Sequence, residues 1–207
     1  MIDNTLKRLT PTLDEICERE LLRYAGCRGE APEETASLMH TVIADLLGEI
    51  KPAVLYRTYP MRFEENGELD LGFARVASLS LAKHFRECTQ VCVMIVSVGI
   101  GVDRYISRYK KVSLARAHMA SALGTERVEA AADAFSACLS DEAAKHGMCT
   151  TGRFSPGYGD VPLSLQSSIL ACLDARKLMG IAMSDSMLMS PTKTVTALIG
   201  LYRGEKQ

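Results

Sequence analysis

The run VCVMIVSV at residues 91–98 constrains the fold of this chain more than any other segment. A strand with one face in water alternates apolar and polar residues, whereas this run is apolar almost without interruption. The pattern is typical of a strand that is covered on both faces. We therefore expect it at the centre of a sheet, with packed structure on either side.

Two helices are predicted before this strand. Thr12 or Asp14 can cap a first helix that runs to about Tyr24. A second helix begins near Pro32, because proline suits an early helical position and the two glutamates after it face the positive end of the helix. Residues 1–50 are thus predicted to be a helical N-terminal segment.

Two further strands are predicted between that segment and the central strand. Residues 53–63 alternate and are rich in β-formers, and the strand-like residues 68–73 follow a turn pattern at Asn66-Gly67. We expect these two strands to pair antiparallel. A short helix over residues 76–85 then leads to the central strand.

Gly99 and Gly101 follow the central strand directly and precede a helical stretch. A GxG after a strand is part of the dinucleotide-binding fingerprint, but the third glycine and the acidic residue expected about twenty positions later are absent. We expect these glycines to turn the chain between strand and helix. An enzyme that uses a nucleotide here is an alternative.

Helices and strands also follow the central strand. Residues 113–145 consist mainly of strong helix formers and predict one long helix, or two collinear helices broken near Gly124. We expect the charged residues of this helix to form a solvated face rather than a site. A further helix is predicted over residues 163–179, and two strands over residues 181–189 and 194–200.

This order of elements is neither strictly alternating nor all-β. It predicts an α+β fold in which helices pack around a mainly antiparallel, twisted sheet. A chain of 207 residues is long enough to bury a hydrophobic core, and a single domain over residues 1–207 is the simplest arrangement.

Composition and charge argue against several classes of function. The formal net charge is −1 and the basic residues are spread along the chain, so nucleic acid is not an expected partner. The N-terminal residues lack an apolar leader and no apolar run is long enough to cross a bilayer, so we expect a soluble, cytoplasmic protein with no membrane contact. The seven cysteines form no CxxC pair, which is typical of proteins in a reducing compartment.

A metal site is not expected either. Cys88 and Cys92 lie in apolar surroundings and are predicted to pack in the core. The four histidines have neither HxxxH nor HExxH spacing and are expected at surfaces or helix ends. The chain also lacks DxHxxG, a known handle for a corrinoid cofactor.

The segment RFSPGY at residues 153–158 is the strongest candidate for a binding site. Pro156 fixes its own φ and favours extended geometry at Ser155, while Gly157 permits a backbone path or a close approach that a Cβ would block. The segment therefore predicts a rigid loop, with the guanidinium of Arg153 five residues before the phenol of Tyr158. These groups suit a small zwitterionic or nucleoside-like ligand better than a metal, and a plain surface turn is the alternative.

RFSPGYGDVP, the helix after it and SDSMLMSPTKTVTALIG together resemble the C-terminal activation (reactivation) domain of cobalamin-dependent methionine synthase. That family carries an RxxPGYxxxP run, a helix, and then two strands that include a Pro-small-x-Ser/Thr-Val-Ser/Thr element. The similarity covers roughly residues 88–200 and is clearest after residue 150.

The resemblance implies the C-shaped α+β fold of the activation domain, with S-adenosylmethionine as the ligand. Arg153 resembles the cation that meets the polar end of the ligand, and Ser155 resembles the position whose backbone contacts it. Tyr158 resembles the aromatic residue beside the ligand, and Pro156 and Gly157 shape the loop between them.

The resemblance also implies that two proteins of methionine biosynthesis share the work. The cobalamin of a methionine synthase, or of a related corrinoid methyltransferase, occasionally oxidises to an inactive cobalt(II) state. An electron donor, such as a flavodoxin-like protein, reduces it to cobalt(I), which takes the methyl group from the S-adenosylmethionine that this chain positions. The chain would be a freestanding subunit of a methyltransferase, and not a complete catalyst alone.

Two positions depart from the family pattern. Residues 147–152 carry no carboxylate where the family has carboxylates, and the last strand carries Leu198-Ile199 in place of an aromatic pair. The ammonium and adenine groups of the ligand would then be held differently. An adaptor that docks a corrinoid protein without binding S-adenosylmethionine is the alternative function.

Overall fold

The computed structural model describes residues 2–65 and 67–204. The strands, in chain order, are β1 (Lys7–Leu9), β2 (Ala53–Pro60), β3 (Arg62–Phe63), β4 (Leu69–Asp70), β5 (Arg75–Val76), β6 (Gln90–Ser97), β7 (Met148–Thr150), β8 (Ala182–Met183), β9 (Met189–Ser190) and β10 (Thr194–Arg203). The helices are α1 (Glu18–Tyr24), α2 (Glu33–Leu46), α3 (Leu79–His84), α4 (Gly101–Tyr109), α5 (Leu114–Lys145), α6 (Leu165–Cys172) and α7 (Ala175–Met179), with a 3-10 turn at Leu47–Glu49.

The main sheet has five strands in the order β1-β2-β6-β10-β7, and each neighbouring pair is antiparallel. β6 is the middle strand, and all eight of its residues are buried. The predicted central strand is therefore confirmed. The predicted α+β class, with helices around a mainly antiparallel sheet, is confirmed as well.

Side chains of β6 alternate between two hydrophobic clusters, one on each face of the sheet. Met94 and Val96 belong to a cluster that includes residues of α1, α2 and α5. Val93 and Ile95 belong to a second cluster with residues of α3, α6 and α7. Because both faces are covered, the strand needs almost no polar residue. That residues 1–207 form a single domain stays a prediction.

The first helix begins later than the sequence predicts. α1 starts at Glu18, and its N-cap is Cys17 rather than Thr12 or Asp14. The backbone from residue 10 to residue 17 is not helical. Local capping patterns are therefore overridden in this segment.

A buried ion pair on α5 accounts for the late start. The side chains of Glu126 and Arg127 pair with each other and are only 5% and 4% exposed. Arg127 donates to the backbone carbonyls of Asp14 and Glu15 at 2.8 and 3.2 Å. Glu126 accepts from the Cys17 N–H at 3.1 Å. These bonds tie the segment to α5 and occupy backbone groups that an earlier helical turn would use internally.

Two other predicted elements are wrong in part. The helix over residues 163–179 is divided into α6 and α7, and Asp174 between them has a φ of 48°. The strand over residues 181–189 is replaced by the two-stranded hairpin of β8 and β9, in whose turn Met187 has a φ of 63°. Left-handed backbone at non-glycine residues interrupts both elements, and an apolar pattern does not reveal it.

α5 is a single helix of 32 residues, and Gly124 does not break it. A Cβ at Gly124 would lie 2.8 Å from Lys193 Cγ and 2.9 Å from Val102 Cγ1. The glycine therefore allows α5 to pack closely against its neighbours. Gly99, with a φ of 83°, turns the chain from β6 toward α4 as predicted.

The region before β6 follows the predicted order with shorter elements. β3 and β4 pair antiparallel, so the predicted pairing holds for residues 62–63 with 69–70. It is wrong for residues 53–60, which form β2 and pair with β1 and β6 instead. Asn66 of the predicted turn lies outside the described residues. The predicted helix over residues 76–85 is α3, which begins at Leu79 after the N-cap Ser78.

The segment after the RFSPGY motif is tied to the start of α3. Asp160 accepts from the Ser78 hydroxyl at 2.5 Å and from the N–H groups of Leu79 and Ser80 at 2.7 and 3.1 Å. These hydrogen bonds, the Ser78 bond above all, favour the ionised carboxylate and hold the pKa of Asp160 well below its ordinary 3.8. A Cβ at Gly159 would lie 2.7 Å from Ser80 Oγ, so only glycine permits this close approach.

Removing one partner of the buried ion pair should destabilise the fold. We expect Glu126→Ala to lower the free energy of unfolding by about 3–5 kcal/mol, because it leaves the Arg127 charge buried without its carboxylate. Urea unfolding followed by circular dichroism measures this loss. Glu142→Ala is the matched control, since Glu142 pairs with the exposed Lys145 and His146, and should cost at most about 1 kcal/mol. Equal losses in the two variants would contradict the role of burial.

The Asp160 anchor should give stability a pH dependence. Because the folded pKa is lowered, the ionised form contributes stability above the ordinary pKa of 3.8, and this contribution is lost as the pH falls through the lower folded value. We expect Asp160→Asn to lower Tm by a constant amount above about pH 5, and the difference from the wild type to shrink below that. Thermal unfolding from neutral pH downward measures this. Asp185→Asn, in the β8–β9 turn, is the control and should show no such trend. A Tm difference between Asp160→Asn and the wild type that grows on acidification would refute the stabilising role of the Asp160 carboxylate.

Candidate functional site

Residues 155–158 form a tight turn, as the sequence predicts. The Tyr158 N–H donates to the Ser155 carbonyl at 3.2 Å, and Gly157 has a φ of 88°. Proline at the second position and a positive-φ glycine at the third are the requirements of a type II turn. The Gly157 N–H then donates to the Val161 carbonyl at 3.0 Å, which closes the loop on itself. The loop therefore has a defined shape before any ligand binds.

The chain enters this turn along the edge of β10. Phe154 and Leu198 exchange two backbone hydrogen bonds of 2.8 Å each, and the Thr151 N–H donates to the Gly200 carbonyl at 2.9 Å. Successive side chains of extended backbone point to opposite faces of a sheet. Phe154 accordingly packs against the α3 side, whereas Arg153 reaches α5 on the other side.

Arg153 forms two ion pairs with α5. Its Nη2 lies 3.0 Å from Glu129 Oε2 and 3.0 Å from Asp133 Oδ1. The expectation that the charged residues of this helix form a solvated face agrees with Asp133, whose side chain is 74% exposed, but is wrong for the buried Glu126 and Arg127. The pairing is partly shielded from water, because the Arg153 side chain is 23% exposed.

One nitrogen of Arg153 is unpartnered within the described part of the chain and is shielded from water. Arg153 Nη1 is buried and has no hydrogen-bond partner among the described residues. A guanidinium presents a fixed fork of donors, so one nitrogen can hold the carboxylates of α5 while the other receives a second acceptor. Because Nη1 is also shielded from solvent, an anion would reach it only after the side chains that cover it move aside.

The remaining predicted residues differ in their exposure to water. Pro156 is buried, Ser155 is half-buried, and Tyr158 is 69% exposed. The turn thus brings Ser155 and Tyr158 together, while Arg153 points back toward α5. An exposed tyrosine ring offers apolar area and a hydroxyl to a molecule that settles on this surface.

A cavity of about 420 Å³ lies between α1 and α5 and is bordered by the carboxylates that Arg153 contacts. Glu20 and Tyr24 line it from α1, and Glu129 and Asp133 line it from α5. Its lining is therefore rich in negative charge beside the guanidinium.

The other side of the loop borders a basic cavity. This space of about 410 Å³ is lined by Lys83, His84, Arg86 and Phe154, among others. His84 Nε2 lies 2.9 Å from the carbonyl oxygen of Gly152, the residue before Arg153. The loop thus separates an acidic surface at α5 from a basic surface at α3.

Sequence reasoning missed the ion pairs of Glu129 and Asp133 with Arg153. Two acids four residues apart share one helix face and repel each other, so an opposing cation could have been suspected. Their partner lies more than twenty residues away along the chain, and no local pattern joins the two segments. The sequence therefore shows the two neighbouring acids but not the arginine that pairs with them.

The predicted packing of Cys88 and Cys92 is confirmed, since both thiols are buried and free. Burial raises the pKa of Cys88 to about 11 and that of Cys92 to about 12. Within residues 2–65 and 67–204, no group of three histidine, cysteine or acidic side chains is placed to hold a metal ion. None of the helices in that part of the chain combines the length and apolar character needed to span a bilayer.

Comparison with known proteins gives a likeness in structure only. No protein-family model matches the chain, and no curated protein matches it in sequence. A crystal structure of the MetH reactivation domain bound to AdoHcy matches with a TM-score of 0.64 at 12% sequence identity. The match covers 98% of this chain and 80% of that one. The chain therefore has the fold of the MetH reactivation domain.

Proposed function

We propose that this protein binds S-adenosylmethionine at the 153–158 turn and presents its methyl group to the cobalamin of a methionine synthase or related corrinoid methyltransferase. The observation that carries the proposal is the Arg153 contact with Glu129 and Asp133 beside this turn. It occurs in a fold whose solved relative, the MetH reactivation domain, was crystallised with AdoHcy.

The charges of the site fit this ligand. S-adenosylmethionine carries a carboxylate, an ammonium and a sulfonium, so its net charge is positive. Arg153 Nη1 would receive the carboxylate once the side chains that cover it move aside, and Glu129 and Asp133 would attract the ammonium and sulfonium. Because the two carboxylates outnumber the guanidinium, the site is complementary to a cation rather than to a neutral zwitterion.

The turn would supply shape and contact area. The rigid path through Pro156 and Gly157 keeps the Ser155 backbone and the Tyr158 ring in place before the ligand arrives, which lowers the entropy cost of binding. Tyr158 would lie beside the nucleoside, and its exposure lets the ligand remain open toward a second protein. Holding the methyl group in line with its acceptor is a positioning effect.

The acceptor belongs to the partner in this proposal. Cobalamin bound to the corrinoid protein supplies the nucleophile for the methyl group, and a flavodoxin-like protein is the proposed electron donor. This chain contributes the positioned methyl donor and acts as a freestanding reactivation subunit. Free and partly exposed thiols at Cys17, Cys138 and Cys149 support a reducing compartment, and we place the protein in the cytoplasm.

Calorimetric titration with S-adenosylmethionine tests the binding site. We expect the wild type to bind and Arg153→Ala to bind at least about 10-fold more weakly, because a charge-assisted hydrogen bond contributes roughly 1.5–3 kcal/mol. Arg75→Ala is the control, since Arg75 is an exposed arginine that lies 3.9 Å from Asp70 in the small sheet. Absence of heat at millimolar ligand, or unchanged affinity in Arg153→Ala, would reject this site and favour the adaptor function.

Reconstitution with a partner tests the reactivation role. A cobalamin-loaded methionine synthase without its own activation domain is mixed with this protein, a reductant and S-adenosylmethionine labelled in its methyl group. We expect label to appear on the cobalamin, and Arg153→Ala to slow transfer by at least about 10-fold at subsaturating ligand, in line with its weaker binding. If the protein binds the ligand yet no label is transferred to any corrinoid partner tested, the reactivation role is wrong while the binding site stands.

A further inference from the structure

A third charged cavity, of about 490 Å³, lies where the end of α2 and the 3-10 turn meet α4. The buried Leu46 and Gly101 are part of its wall. A Cβ at Gly101 would lie 2.6 Å from the Glu49 carbonyl oxygen, so α4 rests directly on the backbone of the turn. This cavity shares no lining residue with the Arg153 region, and its size is typical of small-molecule sites.

The charge of Asp45 in this cavity is already compensated. Asp45 Oδ2 accepts from the Tyr105 hydroxyl at 2.8 Å and lies 3.6 Å from Arg116 Nη1. Burial, followed by the Asp45 contact, raises the pKa of Tyr105 to about 12, so the phenol stays protonated at neutral pH and remains a donor. This part of the wall is therefore a closed network.

Three other charged side chains of the wall are exposed to water and form no ion pair among the described residues. Arg104, Arg108 and Glu49 line the cavity, and in the part of the chain that the structure describes none of them forms an ion pair. The guanidinium carbon of Arg108 lies 5.5 Å from the centre of the Tyr109 ring, which Arg116 also covers at 5.1 Å. The cavity therefore carries two positive groups and one negative group that do not neutralise one another.

Opposite charges that face one cavity without pairing are matched by a ligand that carries both. An inorganic anion would be attracted by the arginines but repelled by Glu49. A simple cation would be attracted by Glu49 but repelled by the arginines. A zwitterion satisfies all three groups. Beside them, the ring of Tyr105, which lies 4.4 Å from the Tyr109 ring, offers apolar area to a side chain.

We propose that this cavity binds a free α-amino acid. Arg104 and Arg108 hold its carboxylate, Glu49 holds its ammonium, and its side chain packs toward Tyr105. Arginine is suited to this task because its planar fork matches a carboxylate with two parallel hydrogen bonds. The proposal is independent of the function assigned to the Arg153 site.

Calorimetric titration of the whole protein with each standard L-amino acid tests the proposal. We expect at least one to bind with a Kd of about 1 mM or tighter, and Arg108→Gln and Glu49→Gln each to weaken it by at least about 10-fold. The deaminated acid and the decarboxylated amine of that amino acid should each bind at least about 10-fold more weakly, because each leaves one charged group of the wall unpaired.

Two control variants locate the binding. Arg75→Gln should leave the affinity unchanged, and so should Arg153→Ala, which changes the other charged site. Absence of heat from every amino acid at about 20 mM would overturn the proposal, because a site with the expected Kd would be nearly saturated at that concentration. Equal affinity for the deaminated acid, tighter binding of inorganic phosphate, or loss of binding in Arg153→Ala would overturn it as well.

Discussion

The antiparallel pairing of β10 with β6 is the interaction on which the rest of the structure depends. It runs from Thr194 opposite Ser97 to Leu201 opposite Gln90. Both strands are buried for most of their length, so helices must cover both faces of the sheet. The free edge of β10 then accepts β7 and the chain that follows it. The position of the RFSPGY turn is set by this edge rather than by the turn itself.

The elements that could be predicted from the sequence are those whose pattern is long or whose ends are marked. β6 is a continuous apolar run, α5 consists of strong helix formers, and α2 begins with Pro32 and two glutamates. Each has enough residues for its periodicity to stand out. β1 and β7 have three residues each, and only their partner strands make them strands.

Errors arose where long-range contacts or unusual backbone outweigh local preference. The segment before α1 contains good capping residues, yet Arg127 and Glu126 bind its backbone and keep it from becoming helical. Asp174 interrupts the predicted helix because its backbone is left-handed. Aspartate adopts this conformation more readily than most residues, but an aspartate in the sequence does not by itself predict it. The chain has the fold of the MetH reactivation domain at only 12% identity, so this fold can form although most residues differ.

The candidate site divides in the same way. Pro156 and Gly157 determine the turn locally, so its shape could be predicted from six residues. The carboxylates of Glu129 and Asp133 come from a helix that passes behind the sheet edge, and only the folded chain brings them to Arg153. The acids that pair with Arg153 therefore lie on α5, whereas residues 147–152 carry none.

The position of the ion pairs has a consequence for any ligand of Arg153. Both carboxylates contact Nη2, so the guanidinium is already oriented, and little side-chain entropy is left to lose on binding. Nη1 is buried without a described partner, and leaving such a donor unsatisfied costs roughly 1–3 kcal/mol. An acceptor that reaches Nη1 would recover that cost as well as gain its own charge-assisted bond.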